Sequence, residues 1–134
     1  MKLLLDTNVL VAAFITHGVC NELLEHCALH HQVILSSHIL EEFRRVLTQK
    51  FAFSQHEVDE ASQLLISKAI LVRPDRLKCP VSRDSNDDFV IAAAIAGQCF
   101  CIISGDKDLT DIDEYQGIKI ITPAEFWKYE ETVK

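Results

Sequence analysis

The strongest constraint on this chain is a set of short, unbroken apolar runs, rich in branched side chains, at 2–5, 32–35, 70–73, 100–103 and 119–121. A strand with one wet face alternates apolar and polar residues, so a run without alternation belongs to a strand covered on both faces. The intervals between the first four runs are long enough for helices. Strands alternating with helices build a mostly parallel sheet wrapped on both sides, so the pattern predicts an α/β domain. With 134 residues, 49% hydrophobic and 25% charged, the chain has apolar material for one core, and 1–134 reads as a single domain. No internal repeat, low-complexity tract or charge block divides it.

The same runs fall far short of the roughly 20 residues a membrane helix needs. The N-terminus places Asp6 directly after a short apolar stretch, without the longer apolar region and small-residue cleavage site of a secretory signal, so a cytoplasmic protein is expected. Five cysteines, Cys20, Cys27, Cys79, Cys99 and Cys101, are an odd number with no C-x-x-C spacing. That pattern fits reduced, mostly buried thiols better than a disulfide framework or a zinc ribbon. His26 and His30 lie four residues apart on one helix face, but no third ligand of suitable spacing accompanies them in the sequence.

Helix boundaries carry chemical marks. Ser54-x-x-Glu57, Ser85-x-x-Asp88 and Thr122-x-x-Glu125 each fit a capping box, and Pro123 stands where a first helical residue needs no N–H. Apolar residues at helical spacing predict helices over 19–31 and 39–47, and Gly97 is expected to end an alanine-rich helix that begins near Asn86.

The acidic residues are placed more tellingly than they are numerous. Asp6 closes the first predicted strand, with Thr7 and Asn8 following, and Ser104-Gly105-Asp106 closes the strand at 100–103. In parallel sheets, ligands bind beyond the carboxyl ends of strands, so these two acids are positioned to share a site. Asp84, Asp87 and Asp88 cluster on the first turn of one helix. Glu41 and Glu42 interrupt an otherwise apolar helix that follows the second strand.

Clustered carboxylates repel one another unless protonated or bound to a cation. Oxygen donors suit hard ions such as Mg2+ or Mn2+, which activate water and stabilise the oxygen leaving phosphorus. A simpler explanation exists for each acid alone: Asp84, Asp87 and Asp88 as helix N-terminal acids, Glu41 and Glu42 as surface residues, Asp6 as a turn cap. Coincidence favours the shared site, because acids at two strand ends and on two helices would face one rim of the sheet. With 13 basic and 20 acidic residues, a net charge of -7 and a pI near 5.3, the chain cannot grip nucleic acid by phosphate neutralisation alone. A bound divalent ion is what would let so acidic a site accept a polyanion.

The segments Leu5-Asp6-Thr7-Asn8-Val9-Leu10, Glu42-Phe43-x-x-Val46-Leu47, Asp84-x-x-Asp87-Asp88-x-Val90-Ile91 and Ser104-Gly105-Asp106-Lys107-Asp108-Leu109 resemble, in order, the motifs of PIN-domain nucleases. The closing Ile120-Ile121-Thr122-Pro123-Ala124-Glu125-Phe126 resembles the end of that domain. The likeness spans essentially the whole chain and is nearest to the small prokaryotic, VapC-like branch described as toxin components of toxin–antitoxin pairs. It implies a Rossmann-like fold and an Mg2+- or Mn2+-dependent endoribonuclease, with an RNA substrate, an antitoxin partner and pairing into homodimers. Onto this chain it carries catalysis at Asp6, Glu42, Asp88 and Asp106 and metal binding at those four and Asp87, with Asp84 beside them. Glu42 is preferred to Glu41 because it directly precedes Phe43-x-x-Val46-Leu47. Ser104 stands where threonine is common and keeps the hydroxyl, and Asn8 matches the polar residue that steadies the first acid.

Lys107 is the basic residue expected nearest a scissile phosphate. Arg44, Arg45 and Lys50 follow Glu42 on its helix, while Arg73, Arg76, Lys78 and Arg83 approach Asp84. Arg44, Arg45 and Arg83 are the expected RNA contacts, although each taken singly fits a solvated charged face equally well. Two rival readings use other chemistry. A phosphate-accepting signalling module would need Asp6, Asp75, Ser104 and Lys107, but leaves Glu42 and Asp88 without a task. A PIN-like scaffold without catalysis would not need the whole acidic set.

Overall fold

In the computed structural model the described residues are 1–16, 18–74, 77, 81 and 85–133. Thirteen elements follow one another: β1 (Lys2–Leu5), α1 (Thr7–Ile15), α2 (Val19–His30), β2 (Gln32–Ser36), α3 (Ser37–Phe51), α4 (Gln55–Ser67), β3 (Ala69–Val72), α5 (Ser85–Ala96), β4 (Cys101–Ile103), α6 (Lys107–Thr110), β5 (Glu114–Tyr115), β6 (Ile118–Ile121) and α7 (Pro123–Thr132). They form one mixed α/β domain around a six-stranded sheet of order β3-β2-β1-β4-β6-β5. Every neighbouring pair is parallel except β5 and β6.

Unbroken apolarity translates into burial on both faces where the strands are central. Leu3, Leu4 and Leu5 of β1 and Cys101, Ile102 and Ile103 of β4 are all buried, although successive side chains point to opposite faces. At the edge the inference fails: Ile70 and Leu71 of β3 are exposed by 44% and 54%, because a strand with one neighbour lies beyond the helical cover.

From β1 the chain steps outward to β2 and β3, then returns through α5 to place β4 on the other side of β1. The right-handed crossover rule puts α5 on the face opposite the helices linking β1, β2 and β3. This reversal is a topological switch point, where a crevice opens beyond the carboxyl ends of the two strands. It lies between β1 and β4, and Asp6 and Ser104 are the first residues past those ends.

Local chemistry sets the helix starts. Ser54 and Thr122 form complete capping boxes with Glu57 and Glu125, with Pro123 in the first turn of α7. Asp6 accepts from Thr7 N–H to cap α1, Ser36 caps α3 and Asp106 caps α6. At α5 the expectation needs correction: Ser85 is the first helical residue rather than the cap, and position 84, where a cap would sit, lies outside the described residues.

Gly97 does follow the last residue of α5, but not to supply a left-handed turn, which Gln98 takes with φ 54°. A Cβ on Gly97 would lie 2.6 Å from Ile34 Cγ2, so the glycine lets α5 close down on β2. The β5–β6 hairpin, unforeseen from sequence, turns on Gln116 and Gly117 with φ 50° and 83°. Cys27, Cys99 and Cys101 are buried free thiols, each pushed by burial up to about 12, while Cys79 lies outside the described residues. No single helix among the described residues is long and apolar enough to cross a membrane.

Candidate active site

Asp6 leaves β1 with its backbone N–H bonded to Ile103 O of β4 at 2.9 Å, so the adjacent strand ends are locked in register. Its carboxylate is 6% exposed and doubly held: Oδ1 accepts from Thr7 N–H at 2.7 Å, and Oδ2 from the Ser104 hydroxyl at 2.8 Å. Ser104 Oγ in turn accepts from Asp106 N–H at 2.9 Å, and Asp106 Oδ1 accepts from Asp108 N–H at 2.9 Å. One hydroxyl thus ties together the two acids that close neighbouring strands.

Around this pair lies a cleft of about 90 Å3 lined by Asp6, Asn8, Glu42, Asn86, Asp87, Val90 and Asp106. Four carboxylates therefore converge from β1, α3, α5 and the end of β4. One oxygen from each of Asp87, Asp106 and Asp108 lies within 4.8 Å of the others, a set of hard donors. Burial pushes the Asp6 carboxyl up; the Ser104 and Thr7 hydrogen bonds offset part of this, and the negative charges of Glu42 and Asp106 push it further. This concentrated negative charge fits a divalent cation, and every donor at the cleft rim suits Mg2+ or Mn2+.

The expected residues separate into those the cleft gathers and those it does not. Asp6, Glu42, Asp87, Asp106 and Asn8 line it. Asp6 takes its hydrogen bonds from Thr7 and Ser104 rather than from Asn8, which lines the cleft from an exposed position. Asp88, one residue further around α5, is not among the lining residues; its Oδ1 accepts from Val81 N–H at 3.1 Å. Lys107 is exposed at the start of α6, immediately after Asp106. Arg44 departs from the expected RNA rim: it pairs with Asp59 at 2.8 Å and donates to Ser62 Oγ at 2.8 Å, tying α3 to α4. Arg45 remains exposed, and Asp84, Arg83 and Asp75 lie outside the described residues.

Two contributors, Asp108 and Asn86, were missed in the sequence, and a third, His38, reads there as a surface histidine one turn before Glu41 and Glu42. Asp108 was quoted in a motif without a role, although its spacing from Asp106 places both in the first turn of α6. Asn86 carried no signal beyond its neighbours. His38, one turn before Glu42, stacks on Phe89 of α5 with ring centroids 4.0 Å apart, and its Nε2 stands 3.8 Å from Glu42 Oε2.

The sequence matches the PIN domain family over residues 2–108. The chain belongs to the PIN-domain family. Its fold is also similar to that of solved chains. One is in the crystal structure of VapBC2 from Rickettsia felis bound to a DNA fragment from their promoter, with TM-score 0.65, 16% identity, and coverage of 91% of this chain and 98% of that one. Another is VapBC-1 from nontypeable Haemophilus influenzae, with TM-score 0.64, 14% identity, and coverage of 92% and 99%. No curated protein sequence matches at a significant level. The match ends within α6, so β5, β6 and α7 lie beyond it.

Proposed function

We propose that this PIN domain is a divalent-metal-dependent endoribonuclease and the toxin component of a toxin–antitoxin pair, with an antitoxin protein and a second copy of the chain as partners. The observation that carries the reading is the convergence of Asp6, Glu42, Asp87 and Asp106 on one small cleft at the β1/β4 switch point. Structural capping accounts for Asp6 and Asp106 individually, since both sit at helix N-termini, but it gives no reason for Glu42 and a buried Asp87 to face them. The antitoxin is inferred from the likeness to the VapBC chains, and the second copy from the resemblance to small PIN-domain nucleases.

Asp6, Glu42, Asp87 and Asp106 would hold Mg2+ or Mn2+, with Asp108 as a further acid at the rim. The ion, when bound, activates a water and stabilises the oxygen leaving phosphorus. Ser104 keeps the Asp6 and Asp106 carboxylates in fixed relation by donating to one and accepting from the backbone of the other. Asp88, engaged by Val81 N–H, would act through α5 rather than on the ion. Lys107 is placed to meet a phosphate oxygen beside Asp106, and hydrolysis adds the elements of water across one P–O bond of the RNA backbone.

Incubation of the purified protein with RNA in Mg2+ or Mn2+ tests the reading directly. Internal cleavage that disappears in EDTA and in Asp6→Asn is the expected result. Absence of cleavage, with transfer of phosphate from a small-molecule donor onto the protein, would replace it by the signalling reading.

A further inference from the structure

Away from the acidic cleft, a second group of ligating side chains joins distant parts of the chain. His26 projects from α2, His31 occupies the single residue between α2 and β2, and Glu130 comes from the last turn of α7. Glu130 Oε2 accepts from Nε2 of His26 at 2.6 Å and from Nε2 of His31 at 2.5 Å. The three ligating atoms all lie within 4.8 Å of one another. Glu130 is 7% exposed, and the side chains of His31 and His26 are 11% and 28% exposed. Phe126 and Trp127 pack their rings against the imidazoles, with the Trp127 centroid 4.9 Å from that of His26.

Glu130, nearly buried, sets one carboxylate oxygen between two imidazole nitrogens, and buried charges in proteins are paired or coordinate metals. The groups around the trio include the Met1 amino group, 3.1 Å from His31 Nδ1, His30, whose ring centroid is 4.7 Å from that of His26, and the buried Cys27 thiol, which the Glu130 charge pushes further up. Beside them opens a pocket of about 450 Å3 lined by Glu25, His26, His30, Lys68 and their neighbours, which gives a solvent-borne ion a path to His26.

We propose that His26, His31 and Glu130 form a Zn2+ site separate from the acidic cleft. Two imidazole nitrogens and one carboxylate oxygen are a donor set suited to Zn2+ and unsuited to Mg2+ or Mn2+, whereas the oxygen donors of the cleft have the opposite preference. Three protein ligands leave a fourth, tetrahedral position for water. Zinc–ligand distances of about 2.0–2.1 Å require the N···O separations to open to roughly 3.3 Å, a side-chain adjustment of under about 1 Å. The ion takes the place of the two Nε2 protons. Each ring's proton then sits on Nδ1, and at His31 the Met1 ammonium, which faces Nδ1 without the metal, releases one proton to solvent so that its amine can accept from Nδ1–H. The site fastens α7 to the α2–β2 junction, adding to the hydrogen bonds and ring packing that already join residues 26 and 31 to the last helix.

The sequence offered only His26 and His30. The structure substitutes His31 for His30 and supplies the missing third ligand from the C-terminal helix.

Zinc titrated into the metal-free, full-length chain should bind with a one-to-one component and raise Tm, as any ligand of the folded state does. The zinc K-edge absorption spectrum of that complex should show two imidazoles. Asp6→Asn/Asp106→Asn should keep this binding, and His31→Gln, whose amide still donates to Glu130, should weaken it roughly a hundredfold or more. An oxygen-only zinc shell, no binding by the parent chain, or undiminished affinity in folded His31→Gln overturns the site. If circular dichroism shows His31→Gln unfolded, the spectrum of the unaltered protein decides. None of these readouts depends on RNA cleavage.

Discussion

Ser104 Oγ and Asp6 Oδ2 lie 2.8 Å apart across the parallel β1–β4 pair, joining residues 98 positions apart in sequence. Ser104 is fully buried and Asp6 nearly so, so neither group has water to replace the other. Ser104→Ala should therefore leave a buried carboxylate short of a donor and cost about 1–3 kcal/mol in chemical denaturation. RNA cleavage should fall by about tenfold or more, because Asp6 and Asp106 lose their common anchor. Unchanged activity in Ser104→Ala would show that the hydroxyl has no part in placing the acids.

The pH dependence of the metal-free protein follows from Asp6. Its pKa lies above the ordinary value of 3.8 because of burial and then the nearby acids, so the folded chain holds that proton more tightly than the unfolded chain does. The folded state then binds more protons in the window above 3.8, and the stability Asp6 contributes is lost as pH rises through its raised value. Asp6→Asn removes this dependence. Thermal scans in EDTA should show the variant gaining on the parent at neutral pH and not at pH 3, while its metal-stimulated cleavage is abolished.

Asp87 and Asp88 have opposite expected phenotypes. Asp87→Asn should reduce cleavage by orders of magnitude with little change in stability. Asp88→Ala removes the acceptor for Val81 N–H and should cost about 1–2 kcal/mol while cleavage persists in the folded fraction. Paired activity and urea-melt measurements check this, and a folded but inactive Asp88→Ala beside an active Asp87→Asn returns the role to Asp88.

Arg44 is engaged by Asp59 and Ser62, so Arg44→Ala should act on folding rather than on substrate. A partly exposed pair of this kind is worth up to about 1 kcal/mol. Filter-binding of RNA to the metal-free variant should match the parent; a marked loss of affinity would restore Arg44 to the RNA surface.

Gly97→Ala tests the packing of α5 on the sheet. The added methyl meets Ile34 and should destabilise by about 1–3 kcal/mol, read as a lowered Tm. An unchanged Tm would mean that α5 can retreat from β2 at no cost.

The sequence by itself determined those features that depend on neighbouring residues. Apolar runs located β1, β2, β4 and β6 to within a residue or two, because burial on two faces forbids alternation, and located β3 as well although its faces are open. Capping boxes located the starts of α4 and α7, because a helix must satisfy its first amides within one turn. Asp6 and Asp106 were legible as partners, since parallel strands present their carboxyl ends to one edge and motif order brought both there.

Tertiary structure decided whatever depends on rotation, edge position or distant pairing. Asp87 and Asp88 are consecutive, about 100° apart around α5, and only the packing of that helix on β1, β2 and β4 turns one toward the cleft and the other toward Val81. Sequence cannot reveal that Ile70 and Leu71 lie at an open edge, because a run of apolar residues reads the same at the centre of a sheet as at its margin. Arg44 found Asp59, Gly97 found Ile34, and His31 found Glu130 across 99 residues, through contacts that exist only once the chain has closed on itself.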